Sequence, residues 1–250
     1  MQPIIRRCHS YKQFLATTIM PEESLLGDLL SLFFPRTCFG CDSGLMRDER
    51  ILCLSCMIHL PLARISGIKE NKMSELFWGR VPIEAATALL LFYKGGMTQK
   101  LIHNLKYNEK KEIGIYLGSM LGKEIRESPH FEGIDVIVPV PLHAKKQRRR
   151  GFNQSQLIGE GLSSETSIPL CTDVLIRITP TQTQTRKSRF LRWKNVESVF
   201  HIANPSVFEN RNILLLDDVV TTGSTLEACA AKLLECKGAR VWIAAAALAS

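Results

Sequence analysis

The chain has 250 residues, 45% of them apolar, which suits one full-sized domain with a proper core and argues against general disorder. It contains no run of about 18 uncharged apolar residues, so no transmembrane helix or membrane insertion is expected. The N-terminus lacks the sustained apolar stretch and cleavage site of a signal peptide, and the expected compartment is the cytoplasm.

The formal net charge of +8 is unevenly placed. Lys145, Lys146, Arg148, Arg149 and Arg150 form one cluster; Arg186, Lys187, Arg189, Arg192 and Lys194 form another. Without those ten the chain carries 22 basic against 24 acidic residues, so the excess lies in two segments free of acidic groups. Such segments are either solvated loops or sites for anions, the phosphates of a small molecule or of a nucleic acid.

In chain order, residues 1–24 show no clear periodicity and read as a loose leader, with Met20 an alternative start. "SLLGDLLSLFFP" reads as a short amphipathic helix or turn opening a small module over 25–65. There the cysteines follow the pattern Cys38-x2-Cys41-x11-Cys53-x2-Cys56, while Cys8, Cys171, Cys229 and Cys236 are scattered. Two CxxC pairs on short turns can offer four thiolates to one tetrahedral zinc, although the spacer is shorter than the common one of about 15–20 residues. A fold retained without metal is the competing reading, and a redox role suits a single pair better than two. "RISGIKENKMSE" reads as a linker or an ordinary surface loop.

From residue 81 the pattern alternates. "EAATALLLFY" is strand-like and ends at Gly95-Gly96. Leu101, Ile102 and Leu105 mark one helix; Ile113, Tyr116, Leu117, Met120 and Leu121 mark a second. "DVIVPV" is a short buried strand, and Asn153 is placed to cap a helix through "QSQLIGEGL". "VLIRI" and "NILLLD" are further strands, followed by a helix from about Ser224 to Glu235 and a last strand, "ARVWIAAAAL". Near-continuous apolar strands alternating with helices indicate an α/β fold with a parallel sheet covered on both faces.

In "ILLLDDVVTTGST" the strand runs into Asp217 and Asp218, then into Thr221, Thr222, Gly223, Ser224 and Thr225 at the start of a helix. Ligands of open α/β sheets bind beyond the carboxyl ends of the strands. A helix N-terminus preceded by glycine and hydroxyl side chains is a phosphate cradle. Carboxylates beside it would repel the phosphate but accept hydrogen bonds from vicinal hydroxyls. A sugar phosphate satisfies both demands. A metal-binding acidic pair and a capped turn are the alternatives, and no Walker motif occurs.

That stretch resembles the phosphoribosyl pyrophosphate signature of type I phosphoribosyltransferases. With "VPVPLHAKKQRRRGFNQSQ", "LIHNLKY", "TQTRKSRFLRWKNVESVF" and the paired cysteines, the chain is similar over roughly 25–250 to the ComF family of competence-associated proteins. The resemblance implies a type I phosphoribosyltransferase-like domain over 80–250 behind a zinc-ribbon-like module. It implies a pyrophosphate loop at Val140, Pro141, Leu142 and His143 with backbone N–H donors, and a mobile loop whose Arg150 contacts pyrophosphate. Lys106 either approaches the phosphates as well or is a surface lysine. The implied reaction is Mg²⁺-assisted displacement of pyrophosphate from ribose C1 by an unknown acceptor. His103, His143 and His201 qualify as bases by residue type only. The other implied role is in DNA uptake, binding single strands through the basic clusters with Phe152, Phe190 and Trp193 as stacking or core aromatics, in concert with the uptake machinery.

Overall fold

A computed structural model describes residues 36–177 and 199–249. The leader, the 24–35 segment and the second basic cluster with Phe190 and Trp193 lie outside the described residues. Among the described residues, four parallel strands form the central sheet: β1 (Ala86–Phe92), β2 (Val136–Pro139), β5 (Asn212–Val220) and β6 (Arg240–Ala249), in the order β1-β6-β5-β2. Two short strands, β3 (Leu175–Arg177) and β4 (Phe200–Ile202), pair antiparallel in a separate ribbon. The helices are α1 (Leu54–Ile58), α2 (Met97–Tyr107), α3 (Lys111–Glu127), α4 (Ala144–Arg150), α5 (Gln154–Thr166) and α6 (Ser224–Leu234).

β5 explains why its sequence is apolar without interruption. Side chains alternate across a strand. Leu214 and Leu216 therefore join Leu117, Ile158 and Leu162 on one face, while Ile213 and Leu215 join Phe208, Leu233 and Val241 on the other. A strand buried on both faces cannot show a polar alternation.

Two readings from the sequence need correction. "VLIRI" leaves the parallel sheet: Leu175 is buried but Ile176 and Arg177 face solvent, a half-exposed pattern that fits an edge ribbon. "RISGIKENKMSE" is no linker. Asn71 is buried, donating through Nδ2 to Ile68 O (2.7 Å) and Ala86 O (2.9 Å) and accepting at Oδ1 from Met73 N and Ser74 N. These bonds dock Met73 and Phe77 into the core. The cysteine segment is likewise continuous with the main body, because Cys38, Leu52 and Cys56 belong to the same apolar cluster as Leu89 and Leu101.

The α3–α5 contact sets the position of the site. A methyl group at Gly118 would lie 1.9 Å from Ile158 O, and one at Gly161 would lie 2.0 Å from Ile115 O. Only glycine permits so close an approach, and it brings the start of α5 against the end of β5.

Candidate functional site

The expected cap forms at the start of α5. Asn153 Oδ1 accepts from Ser155 N at 3.1 Å, and its Nδ2 donates to Val140 O at 3.0 Å, tying the helix to the loop after β2. Ser155, buried in the first turn, donates from Oγ to Asp217 Oδ1 at 3.0 Å. The same oxygen accepts from Asp218 N at 2.8 Å. Asp218 turns instead to α2, where Lys106 Nζ lies 2.8 Å from its Oδ2. The helix that brings Lys106 is anchored at its other end by Thr98 Oγ1, which donates to Leu91 O at 2.8 Å.

The two carboxylates therefore sit in unequal surroundings. Desolvation, with Asp218 beside it, pushes the Asp217 carboxyl up to about 7; the Asp218 amide, the Ser155 hydroxyl and Lys106 oppose the rise. Both aspartates are half-buried at the carboxyl end of β5. Lys106 is committed to Asp218 rather than extended toward an incoming phosphate.

Beyond Val220 the chain turns through residues 221–223, with Gly223 at φ 74° just before α6. That left-handed conformation favours glycine. Thr222 Oγ1 and Ser224 Oγ are 3.0 Å apart at the open end of the helix. Arg80 crosses this loop: Nη1 donates to Thr222 O (3.0 Å), Nη2 to Ser224 Oγ (3.5 Å), and the guanidinium pairs with Glu227. Nothing in the sequence pointed to Arg80, which lies 142 positions before Thr222. A cavity of about 460 Å³, lined among others by Lys69, Trp78 and Arg80, adjoins this crossing rather than the carboxylates.

The loop after β2 has fewer amide donors than expected. Val140 N donates to Leu216 O at 2.8 Å and Pro141 has no N–H, so neither offers a main-chain donor to a ligand. Arg150, at the end of α4, folds back. It stacks 5.2 Å from the Tyr107 ring, donates from Nη1 to Gln154 Oε1 at 2.8 Å, and reaches Tyr107 OH at 3.4 Å. Its Nε and Gln154 Nε2 are buried without a partner. Arg148 and Arg149 are exposed on the same helix. His103 stacks on Tyr107 at 4.8 Å, His201 is exposed on β4, and Phe152 is partly buried against the core.

The cysteine centre stands apart. The Sγ atoms of Cys38, Cys41, Cys53 and Cys56 all lie within 4.8 Å of one another. Cys41 and Cys53 are 3.7 Å apart at sulfur, close to the edge of about 3.8 Å that a tetrahedron with ~2.3 Å zinc–sulfur bonds requires. Backbone N–H groups of Gly40 and Cys53 point at Cys38 Sγ, and that of Cys56 at Cys53 Sγ. A side chain on Gly40 would come within 2.8 Å of Cys56 Sγ, so the turn needs glycine. The Ser43 hydroxyl and amide bring the Cys41 thiol down to about 6, while burial and the neighbouring sulfurs push Cys56 up. Four sulfurs crowded together without a cation oppose shared ionisation; a divalent ion reverses that. The donor set fits a structural metal. Cys171, Cys229 and Cys236 are buried elsewhere.

No family model matches the chain. It is 36% identical over 214 residues to DNA utilization protein YhgH of Escherichia coli K12, covering 82% of this chain and 87% of that one. It is 34% identical over 130 residues to competence protein F of Haemophilus influenzae Rd, covering 50% and 57%. Among solved structures it is similar to a hypoxanthine phosphoribosyltransferase of Staphylococcus aureus, with a TM-score of 0.34, 16% identity and coverage of 54% and 63%. The length and identity of the match to YhgH leave one conclusion: the chain belongs to the ComF family.

Proposed function

We propose that this ComF-family chain binds phosphoribosyl pyrophosphate, with the ribose hydroxyls on Asp217 and Asp218 and the 5′-phosphate on Thr221, Thr222, Gly223, Ser224 and Thr225. The observation that carries the reading is the hydroxyl-lined turn at the open N-terminus of α6, separated from a carboxylate pair by Val219 and Val220. The helix end supplies unpaired N–H groups and a positive dipole for the phosphate. The carboxylates supply acceptors where a vicinal diol would lie.

In a transfer reaction the leaving pyrophosphate gains charge as C1 becomes oxocarbenium-like. Mg²⁺ carried on the pyrophosphate would offset part of that charge. From this chain, the loop after β2 and Arg150, released from Tyr107, would offset more. Lys106 would hold Asp218 in place for the ribose. The four cysteines would bind one structural Zn²⁺. Calorimetry with phosphoribosyl pyrophosphate and Mg²⁺ tests the reading, followed by a screen of acceptor bases for pyrophosphate release. Equal affinity in an Asp217→Ala, Asp218→Ala double variant would overturn it.

A second reading, single-stranded DNA binding in DNA uptake, is favoured by the exposed Arg148 and Arg149 on a helix free of acidic residues and by what YhgH and competence protein F are called. Among the described residues no helix is long and apolar enough to cross a membrane. The compartment this reading expects is the cytoplasm.

A further inference from the structure

We infer that Arg80 is a positioning residue of the phosphate loop, holding the Thr222–Ser224 turn open for a sugar phosphate monoester and cancelling the charge of Glu227 at its mouth. The inference deepens the ribose-phosphate reading and rests on it.

One guanidinium joins three elements. Nη1 donates to Leu76 O (2.8 Å) and to Thr222 O (3.0 Å); Nη2 donates to Ser224 Oγ (3.5 Å) and pairs with Glu227. The segment that delivers it is itself fixed. Phe77 is buried, its backbone carbonyl accepts from Arg80 N at 3.0 Å, and its ring lies 3.1 Å from where a Gly223 side chain would begin. Phe77 thus backs the glycine of the loop while Arg80 grips the residues on either side.

Three consequences follow for a bound phosphate. The Thr222 carbonyl, an oxygen that would repel an anion, is occupied by a cation instead. The Ser224 hydroxyl accepts from Arg80, so its own proton remains for Thr222 Oγ1 or for a phosphate oxygen. Glu227 stands in the first turn of α6, its N–H bonded to Gly223 O at 2.8 Å. Unpaired, its carboxylate would oppose a dianion at the same helix end; paired with Arg80, it leaves the helix dipole free to act. Lysine cannot replace this arrangement, because a point charge cannot span two carbonyls, a hydroxyl and a carboxylate as a planar fork does.

The test is calorimetric titration of the full chain with ribose 5-phosphate, alongside thermal melting. Arg80→Ala should weaken binding at least tenfold and Arg80→Lys by an intermediate factor. Adding Glu227→Gln to Arg80→Ala should recover most of the loss, which a purely packing role for Arg80 would not allow. If Arg80→Ala binds like the parent, or the double variant binds no better than the single, the inference is wrong. Should Arg80→Ala fail to fold, Arg80→Lys decides: affinity within twofold of the parent overturns it. A parent chain that does not bind ribose 5-phosphate at all would instead overturn the underlying reading.

Discussion

Lys106 Nζ lies 2.8 Å from Asp218 Oδ2, with 20% and 15% of the two side chains exposed, whereas Asp217 is served by neutral donors, the Ser155 hydroxyl and the Asp218 amide. Adjacent carboxylates on one strand are thus given different partners by two different helices. That asymmetry lets a chain keep two like charges side by side in a half-buried place.

Lys106→Met removes a cation that opposes protonation of Asp217. A protonated carboxyl accepts fewer hydrogen bonds from a diol. Ribose 5-phosphate affinity at pH 7 should therefore fall by up to roughly fivefold, since raising a titration at about 7 by about one pH unit cuts the ionised fraction at pH 7 from about a half to about a tenth, and recover at higher pH. Inorganic pyrophosphate should bind the variant as it binds the parent. A loss confined to pyrophosphate would instead assign Lys106 to the phosphates.

Asp217 also predicts a pH dependence of stability. Its carboxyl titrates at about 7 in the folded chain against an ordinary 3.8. Between those values the native state holds a proton that the unfolded state has released. Stability thus falls as pH rises through the window and stays lower above it. Asp217→Asn keeps the oxygen that accepts from Ser155 and the Asp218 amide but cannot ionise. At pH 8 it should be more stable than the parent by something on the order of 2 kcal/mol, with the gap closing toward pH 4. Urea midpoints across pH 4–8 check this; parallel curves would show that Asp217 is not desolvated.

The parts of this arrangement that were legible in the sequence are those encoded locally. The apolar run of β5, its two aspartates, the hydroxyl-rich turn and the Asn153 cap all fall where their residue types dictate. What stayed hidden depends on distant pairs. Arg80 is one arginine in a polar stretch until the fold lays it over Thr222, and Ser155 meets Asp217 across 62 positions. Asn71 looked like a loop residue because its type is common in loops; its five backbone partners make it a core one. Gly118 and Gly161 carry no local signal at all, since their role is to have no side chain where two helices cross.

The cysteine centre should hold about one zinc per chain, measurable by elemental analysis. Cys38 and Cys56 share an apolar cluster with Leu89 and Leu101, so stripping the metal should do more than loosen one segment. It should lower the melting temperature of the whole cooperative unit by several degrees. Cys38→Ser should act in the same direction without chelator. A purified chain that contains no metal yet melts at the same temperature with and without chelator would remove the zinc assignment.

The basic helix α4 divides the two functional readings, because its arginines are not equivalent. Arg150 is half-buried between Tyr107 and Gln154, within the machinery proposed for pyrophosphate, whereas Arg148 and Arg149 are exposed. A single DNA strand that contacts several phosphates releases counterions with each contact, so log affinity falls with log salt by about 0.7 per phosphate. A small ligand held by a preformed loop at a helix end responds less steeply. Arg148→Ala with Arg149→Ala should therefore weaken binding of a labelled oligothymidylate and reduce its salt slope by about one to two, while leaving phosphoribosyl pyrophosphate affinity nearly unchanged. Asp217→Ala should do the reverse, since a carboxylate gains nothing from a phosphate backbone. Fluorescence anisotropy over a salt series, on the parent and both variants, separates these outcomes. If the parent binds no oligonucleotide even at low salt, the exposed arginines serve no nucleic acid, and α4 belongs to the phosphoribosyl site alone.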